Sequence, residues 1–226
     1  MKAASSKSPA RSLLVVATLV AILTTGLIAV LVFNNHSPAP DISGNVVQPP
    51  RPLGTFSLLD HHGNTFTQDE LLGRWHFVSY GFTYCPDICP MTLVTLSQLM
   101  DRLQAEGDTD DLGALFYTVD SERDTVEQLA AYVPHFHDDF VGLTTNQPEN
   151  AKGFEQGLGI VAFIDEDERR ENPERYNVSH GMTLYLLNPR GQLQAVFTPD
   201  INRHGIRQFS VDQLYEDYRA LRAYAR

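Results

Sequence analysis

"WHFVSYGFTYCPDICPMTLVTLSQLMDRLQ", Trp75 to Gln104, passes from an apolar run through a proline-punctuated loop into a helical rhythm. Trp75–Phe82 is short, apolar and rich in aromatics, which suits a buried central strand. Beyond Pro90, the apolar residues Leu93, Leu96, Leu99, Met100 and Leu103 recur three and four apart, the spacing of one helix face. Between the two elements stand Cys85 and Cys89, both of the cysteines in the chain. A strand-to-helix junction points backbone N–H groups and the positive end of a helix dipole at the first cysteine, favouring thiolate over thiol. Pro86 suits a first helical turn, where its missing N–H costs nothing.

Working outward, strands and helices alternate. "GTFSLLDHHGNTFT" (54–67) reads as a hairpin with "DHHGN" at its turn. "ALFYTVD" (114–120) is a strand, "TVEQLAAYV" (125–133) a helix and "FVGLTT" (140–145) a further strand. "MTLYLLNPRGQLQAVF" (182–197) is a second hairpin turning at Asn188, Pro189 and Gly191. "SVDQLYEDYRALRAYA" (210–225) closes the chain as an amphipathic helix capped by Ser210. Helices between buried strands predict an α/β domain, over residues 53–226, with both sheet faces covered.

The amino-terminal part is different. Ser12–Phe33 is 22 residues without a charge, long enough for a bilayer core of about 30 Å. It exceeds the apolar region of a cleaved signal peptide and lacks a suitable cleavage context. A transmembrane anchor over 12–33 is therefore expected, preceded by a cytoplasmic tail (1–11). Lys2, Lys7 and Arg11 precede the span and no basic residue follows until Arg51, so the positive-inside rule sends the domain across the membrane. Residues 34–52, rich in Pro, Asn and Ser, read as a linker. The short tail has no Arg- and Ser-rich leader, which favours a bacterial cytoplasmic membrane with a periplasmic domain over the mitochondrial inner membrane.

The chain carries 17 basic and 28 acidic residues. Residues 1–51 hold four basic residues and one acidic, which leaves 13 basic and 27 acidic, net −14, for the remainder. So acidic a domain argues against nucleic acid as a partner.

In an oxidising compartment an idle cysteine pair becomes a disulfide. The C-x-x-x-C spacing weighs against that. On a regular helix, positions i and i+4 place their β-carbons about 5–6 Å apart, wider than the 3.5–4.5 Å of a disulfide. Two thiolates on one soft ion span that gap comfortably. Pro86 and Pro90 make the loop irregular, so a reversible disulfide stays open beside metal binding. Two sulfurs are too few for a structural zinc site, and two sulfurs with one nitrogen suit Cu(I).

The third ligand has to come from eight histidines. His36 is in the linker. His61 and His62 fall in the expected turn, where exposure is the rule. His76 alternates with Trp75 and Phe77 on a strand and reads as a core histidine. His135 and His137 adjoin Asp138 and Asp139 in a loop, and His204 is also loop-like. His180 stands just before an apolar strand, a position where loop-end residues serve sites. Nothing local brings it to Cys85. Asp120, Glu122 and Asp124 read as caps for a helix starting near Thr125 rather than as a hard-metal cluster. Asp165–Arg175 reads as a solvated segment or a docking loop.

"GFTYCPDICPMTL", "YTVDSERDT", "GLTT" and "YNVSHGMTLYLLNPRGQ" together resemble the Sco/SenC family, over nearly all of residues 53–226. That resemblance implies a membrane-anchored thioredoxin-like fold that handles copper, as Cu(I) or Cu(II), for cytochrome c oxidase assembly. It implies Cys85, Cys89 and His180 as metal ligands, and Asp87 as the aspartate inside the cysteine motif. The implied partner is the copper-bearing subunit of the oxidase or another copper chaperone. Two departures stand out: Ser179 where the family usually has Asp, and Ser121 where Pro is common. The expected role is a metallochaperone rather than an enzyme. Alternatives are a thiol–disulfide oxidoreductase using Cys85 and Cys89 as a redox-active pair, and a redox or copper sensor. A peroxidase is a weaker reading, since the sequence does not rank the two thiols.

Overall fold

The computed structural model describes residues 9–33, 38–107, 111–202 and 205–225. It forms two compact units, Met1–Ala39 and Pro40–Arg226. The first contains helix α1 (Pro9–Phe33). Among the described residues no helix is long and apolar enough to cross a membrane. Side chains of α1 are described without a break only over 16–27, all exposed, about 18 Å of helix at 1.5 Å per residue.

The second unit runs β1 (Asn45–Pro52), β2 (Leu58–Asp60), β3 (Thr65–Phe66), β4 (Trp75–Gly81), α2 (Ile88–Ala105), β5 (Leu112–Thr118), α3 (Val126–Tyr132) and β6 (Phe140–Thr144). It continues with α4 (Pro148–Leu158), β7 (Ala162–Ile164), α5 (Glu166–Glu171), β8 (Val178–His180), β9 (Leu184–Leu187) and β10 (Gln192–Phe197). A small ribbon, β11 (Asp200–Ile201) with β12 (Arg207–Gln208), precedes α6 (Val211–Tyr224). The described strands form an eight-stranded sheet in the order β1-β10-β9-β4-β5-β6-β2-β3, with β7 and β8 pairing apart from it.

The apolar runs take the centre of the sheet. All seven residues of β4 and all seven of β5 are buried, as strands covered on both faces must be. β4 pairs in parallel with β5, and β5 with β6, while β9 runs antiparallel to β4. Alternation divides the side chains between two cores. On one face, Trp75, Phe77 and Phe116 pack with Leu96, Leu99 and Leu103 of α2 and with Leu214, Tyr218 and Leu221 of α6. On the other, Val78, Leu115 and Tyr117 pack with Ala151, Phe154 and Leu158 of α4. Both expected hairpins form, β2 with β3 and β9 with β10. Gly191 has φ +67° at the second turn, a conformation glycine adopts freely. Ser210 caps α6 by accepting the Gln213 N–H.

Several expectations need correction. The linker expected over 34–52 stops short of Asn45, because Asn45–Pro52 pairs antiparallel with β10 as an edge strand. Its prolines are tolerated there because one side of an edge strand has no hydrogen bonds to make. His61 is buried, and its Nδ1 accepts the Gly142 N–H at 3.0 Å. Asp165–Arg175 contains helix α5, capped by Asp165. Helix α3 is capped by Thr125 and not by the acidic residues before it. His36 and His204 lie outside the described residues.

Candidate metal centre

The cysteine loop leaves the carboxyl end of β4 and enters α2. The helix begins later than the sequence suggests: Asp87 is its N-cap and Ile88 its first residue. Pro86 therefore lies outside the helix, in the loop with Cys85, and Pro90 takes up the first turn. Cys85 sits in a turn closed by its N–H to the Phe82 carbonyl at 3.2 Å. Cys89 sits in the first helical turn. The two are not i and i+4 on a regular helix, so that spacing argument gives way to loop geometry. Both are buried and both are free thiols.

The third group arrives on a separate arm. β8 pairs with β7, Ala162 opposite His180, outside the main sheet. This ribbon carries His180 to the cysteine loop. His180 Nε2 lies 3.7 Å from Cys89 Sγ. Donor atoms of Cys85, Cys89 and His180 all fall within 4.8 Å of one another. His180 Nδ1 lies 2.9 Å from the Gly181 carbonyl. A carbonyl only accepts, so Nδ1 carries the proton and Nε2 offers its lone pair to the sulfurs. Tyr80 and Phe82 meet the imidazole edge-on, each with ring centroids 5.7 Å away, and fix its plane.

The thiols are unequal. The hydrogen bond from Cys89 holds the Cys85 thiol well below its usual range, against the opposing effect of burial; His180 and backbone N–H groups add to the lowering. Cys89 is pushed up, first by the same hydrogen bond and then by burial. For His180, burial alone would lower the pKa; hydrogen bonds to Cys85 and to Gly181, with the Cys85 charge, outweigh it, and the net direction is up. The two directions make Cys85 the thiol that ionises more readily.

Three donors of this kind fit a soft ion. A trigonal ion with bonds of about 2.0–2.3 Å holds its donors about 3.5–4 Å apart, close to the 3.7 Å between sulfur and nitrogen. Carboxylates, which would draw harder ions, are absent from the cluster. Cys85 and His180 also line an open groove of about 590 Å³ with Phe82, Tyr84, Arg123 and Tyr176. Of the other histidines, His76 is buried in the sheet, His137 stacks on Phe140, and His135 is exposed; the structure brings none of them to the cluster.

A thioredoxin-like α/β domain with two free thiols at a strand-to-helix junction, facing an imidazole, defines a class of soft-metal or thiol-redox proteins. The chain belongs to the SCO1/SenC family, whose pattern matches residues 47–211. It is 39% identical over 138 residues to the mitochondrial SCO2 homolog of Mus musculus, covering 61% of this chain and 52% of that protein. The chain thus spans about half the length of that relative. Among solved structures, Arabidopsis thaliana ScoI with copper bound superposes with a TM-score of 0.63 at 31% identity, covering 76% of this chain and 99% of that one. Yeast Sco1 with copper bound gives 0.61 at 30% identity, covering 75% and 90%.

Two residues around the site were not legible as such. Asp124 is fully buried and accepts the Thr83 N–H at 2.8 Å and the Thr83 hydroxyl at 2.6 Å. Arg123 stacks on the Tyr176 ring, 3.6 Å from guanidinium carbon to centroid. Asp124 reads as a helix cap, and nothing in the sequence singles out Arg123. Only the tertiary fold reveals that Asp124 reaches the cysteine arm and that Arg123 reaches the histidine arm most closely.

Proposed function

We propose that this chain binds copper through Cys85, Cys89 and His180 and hands it to the copper-bearing subunit of cytochrome c oxidase or to another copper chaperone. The observation that carries this reading is the meeting of three soft donors within 4.8 Å beside an open groove. The family relation supports it, since two solved relatives hold copper. The ion is cargo. An incoming thiolate of the acceptor enters through the groove and displaces the donors in turn, so bonds to sulfur are exchanged without net redox change. The domain starts after a membrane anchor over residues 12–33: that stretch is uncharged and its backbone is helical. The copper site then faces the extracytoplasmic side, the periplasm in a bacterium or the intermembrane space in a mitochondrion.

The test is copper stoichiometry and ultraviolet–visible absorption of wild type beside His180→Ala. One copper per chain, with a thiolate charge-transfer band much weakened in the variant, is the expected result. Binding indifferent to His180 would remove the two-sulfur, one-nitrogen site. A second reading, thiol–disulfide exchange, is favoured by the inequality of the thiols: an anionic Cys85 is the attacking sulfur and a protonated Cys89 the resolving one. Rapid reduction of a model disulfide by wild type and not by Cys85→Ser, with no copper bound, would favour it.

A further inference from the structure

Cys89 and His180 are 91 positions apart in the chain; Cys89 is in the first turn of α2, after β4 of the main sheet, and His180 is on β8 of the separate ribbon. Something must set the distance between them. The loop from Thr118 to Thr125, between β5 and α3, touches both arms through adjacent residues that reach in different directions. Asp124 grips the cysteine arm. It accepts the backbone N–H of Thr83 at 2.8 Å and the Thr83 hydroxyl at 2.6 Å, two residues before Cys85. Gln128 donates to the same hydroxyl at 3.0 Å. Asp124 is itself fixed from behind: its carboxylate accepts the Thr118 hydroxyl at 2.6 Å and its carbonyl accepts the Thr144 hydroxyl at 2.9 Å.

Arg123 grips the histidine arm most closely, though its guanidinium also lies 5.7 and 5.2 Å from the Phe82 and Tyr84 rings of the cysteine arm. Its Nη1 donates to the Tyr176 carbonyl at 3.2 Å, four residues before His180. Its guanidinium lies over the Tyr176 ring, and its Nε donates to Asp120 at 2.5 Å. The Tyr176 hydroxyl donates to the other oxygen of Asp120. The Arg123 side chain is 9% exposed and the Asp120 side chain not at all. A planar fork that stacks on a ring while donating in two fixed directions is particular to arginine; lysine keeps the charge and donors but loses the stacking face and the fixed geometry.

We propose that Arg123 and Asp124 are positioning residues. Arg123, through Tyr176 and Asp120, sets where His180 stands, and Asp124, through Thr83, sets where the cysteine loop stands. The loop between them is the rigid bracket that fixes the sulfur-to-imidazole separation. Neither residue touches the ion. The assignment rests on the reading of Cys85, Cys89 and His180 as one metal site, but its consequences appear without metal.

The test is amide hydrogen exchange of the full-length, metal-free protein in detergent, comparing Arg123→Met, Arg123→Lys and Asp124→Asn with wild type. Both Arg123 variants are expected to speed exchange in 175–182 by about tenfold or more and to change 82–90 much less, since the guanidinium lies 5.7 and 5.2 Å from the Phe82 and Tyr84 rings, against 3.6 Å from Tyr176. Asp124→Asn is expected to do the reverse. With copper added, Arg123→Met should keep one ion per chain on the two sulfurs while losing the imidazole-nitrogen signature in its spectra. Exchange unchanged in both segments, raised equally in both, or raised over the whole chain would overturn the bracket, as would wild-type behaviour in Arg123→Lys. If His180→Ala in the parent protein leaves copper binding untouched, the ligand set falls while the exchange result stands or falls by itself.

Discussion

At the residue scale, the site depends on what is missing as much as on its donors. Gly81 ends β4, and a Cβ placed there would lie 2.3 Å from Cys89 Sγ. No real contact is that short, so Gly81→Ala must displace the buried sulfur from its place beside His180. We expect copper(I) affinity to fall about 10–100-fold, as for substitutions that displace a ligand from outside, measured by competition with a chromophoric chelator. An unchanged affinity would mean that the cysteine loop yields freely. His76 gives a second prediction, remote from the metal. Burial, and then the Arg74 charge, depress its pKa to about 4. Unfolded chains take up a proton near the ordinary value of about 6.5, but the folded protein does not until about pH 4. Stability must therefore fall as pH drops through that window, by about 2 kcal/mol between pH 7 and 5 from this group. His76→Gln, neutral throughout, should lose that part of the slope. Urea midpoints of both proteins at pH 7 and pH 5 give the comparison.

At the element scale, the edge strand β1 is where composition misled. "NVVQPPRP" has three prolines and little apolar content, and by pattern it is a linker. Its partner is β10, 140 or more positions away, and no local signal announces such pairing. The same holds upstream: the Ser43 N–H donates to buried Asp217 of α6 at 3.1 Å, and the Ser43 hydroxyl donates to it too. A chain beginning at Leu53, where the sequence places the domain, would strip β10 of its neighbour and leave Asp217 without those partners. Unpaired buried polar groups cost about 1–3 kcal/mol. Truncation at Leu53 is thus expected to be less stable by several kcal/mol than truncation at Pro40, visible as a lower urea midpoint. Equal midpoints would reduce β1 to ornament. The central strands were legible because buried parallel strands are written as unbroken apolar runs, and α2 and α6 because their apolar faces repeat. The ribbon of β7 and β8 was not, since its three-residue strands are half exposed. His180 rides on that ribbon: its place before the apolar strand β9 marks it out among the histidines, but no local pattern brings it to Cys85, and only the family resemblance joins the two.

At the scale of the whole molecule, function depends on where the acidic domain is held. A donor confined to a membrane meets a membrane-bound acceptor at a raised effective concentration, which lets a modest interface suffice. The proposed anchor makes a specific prediction. Full-length protein expressed in a bacterium should remain in the membrane pellet after an alkaline carbonate wash, and a chain beginning at Pro40 should be released. Three basic residues, Lys2, Lys7 and Arg11, precede the uncharged stretch and none follows before Arg51. That asymmetry should keep the amino-terminal tail in the cytoplasm. Alkaline phosphatase fused after the last residue should then be active, since it folds only where disulfides form. Changing Lys2, Lys7 and Arg11 together to Glu should lower that activity by weakening the orientation signal. Release of the full-length chain by carbonate would remove the anchor. An inactive fusion held firmly in the membrane would keep the anchor and reverse its direction, leaving Cys85 and Cys89 in a reducing compartment where a copper-transfer role would need no protection from disulfide formation.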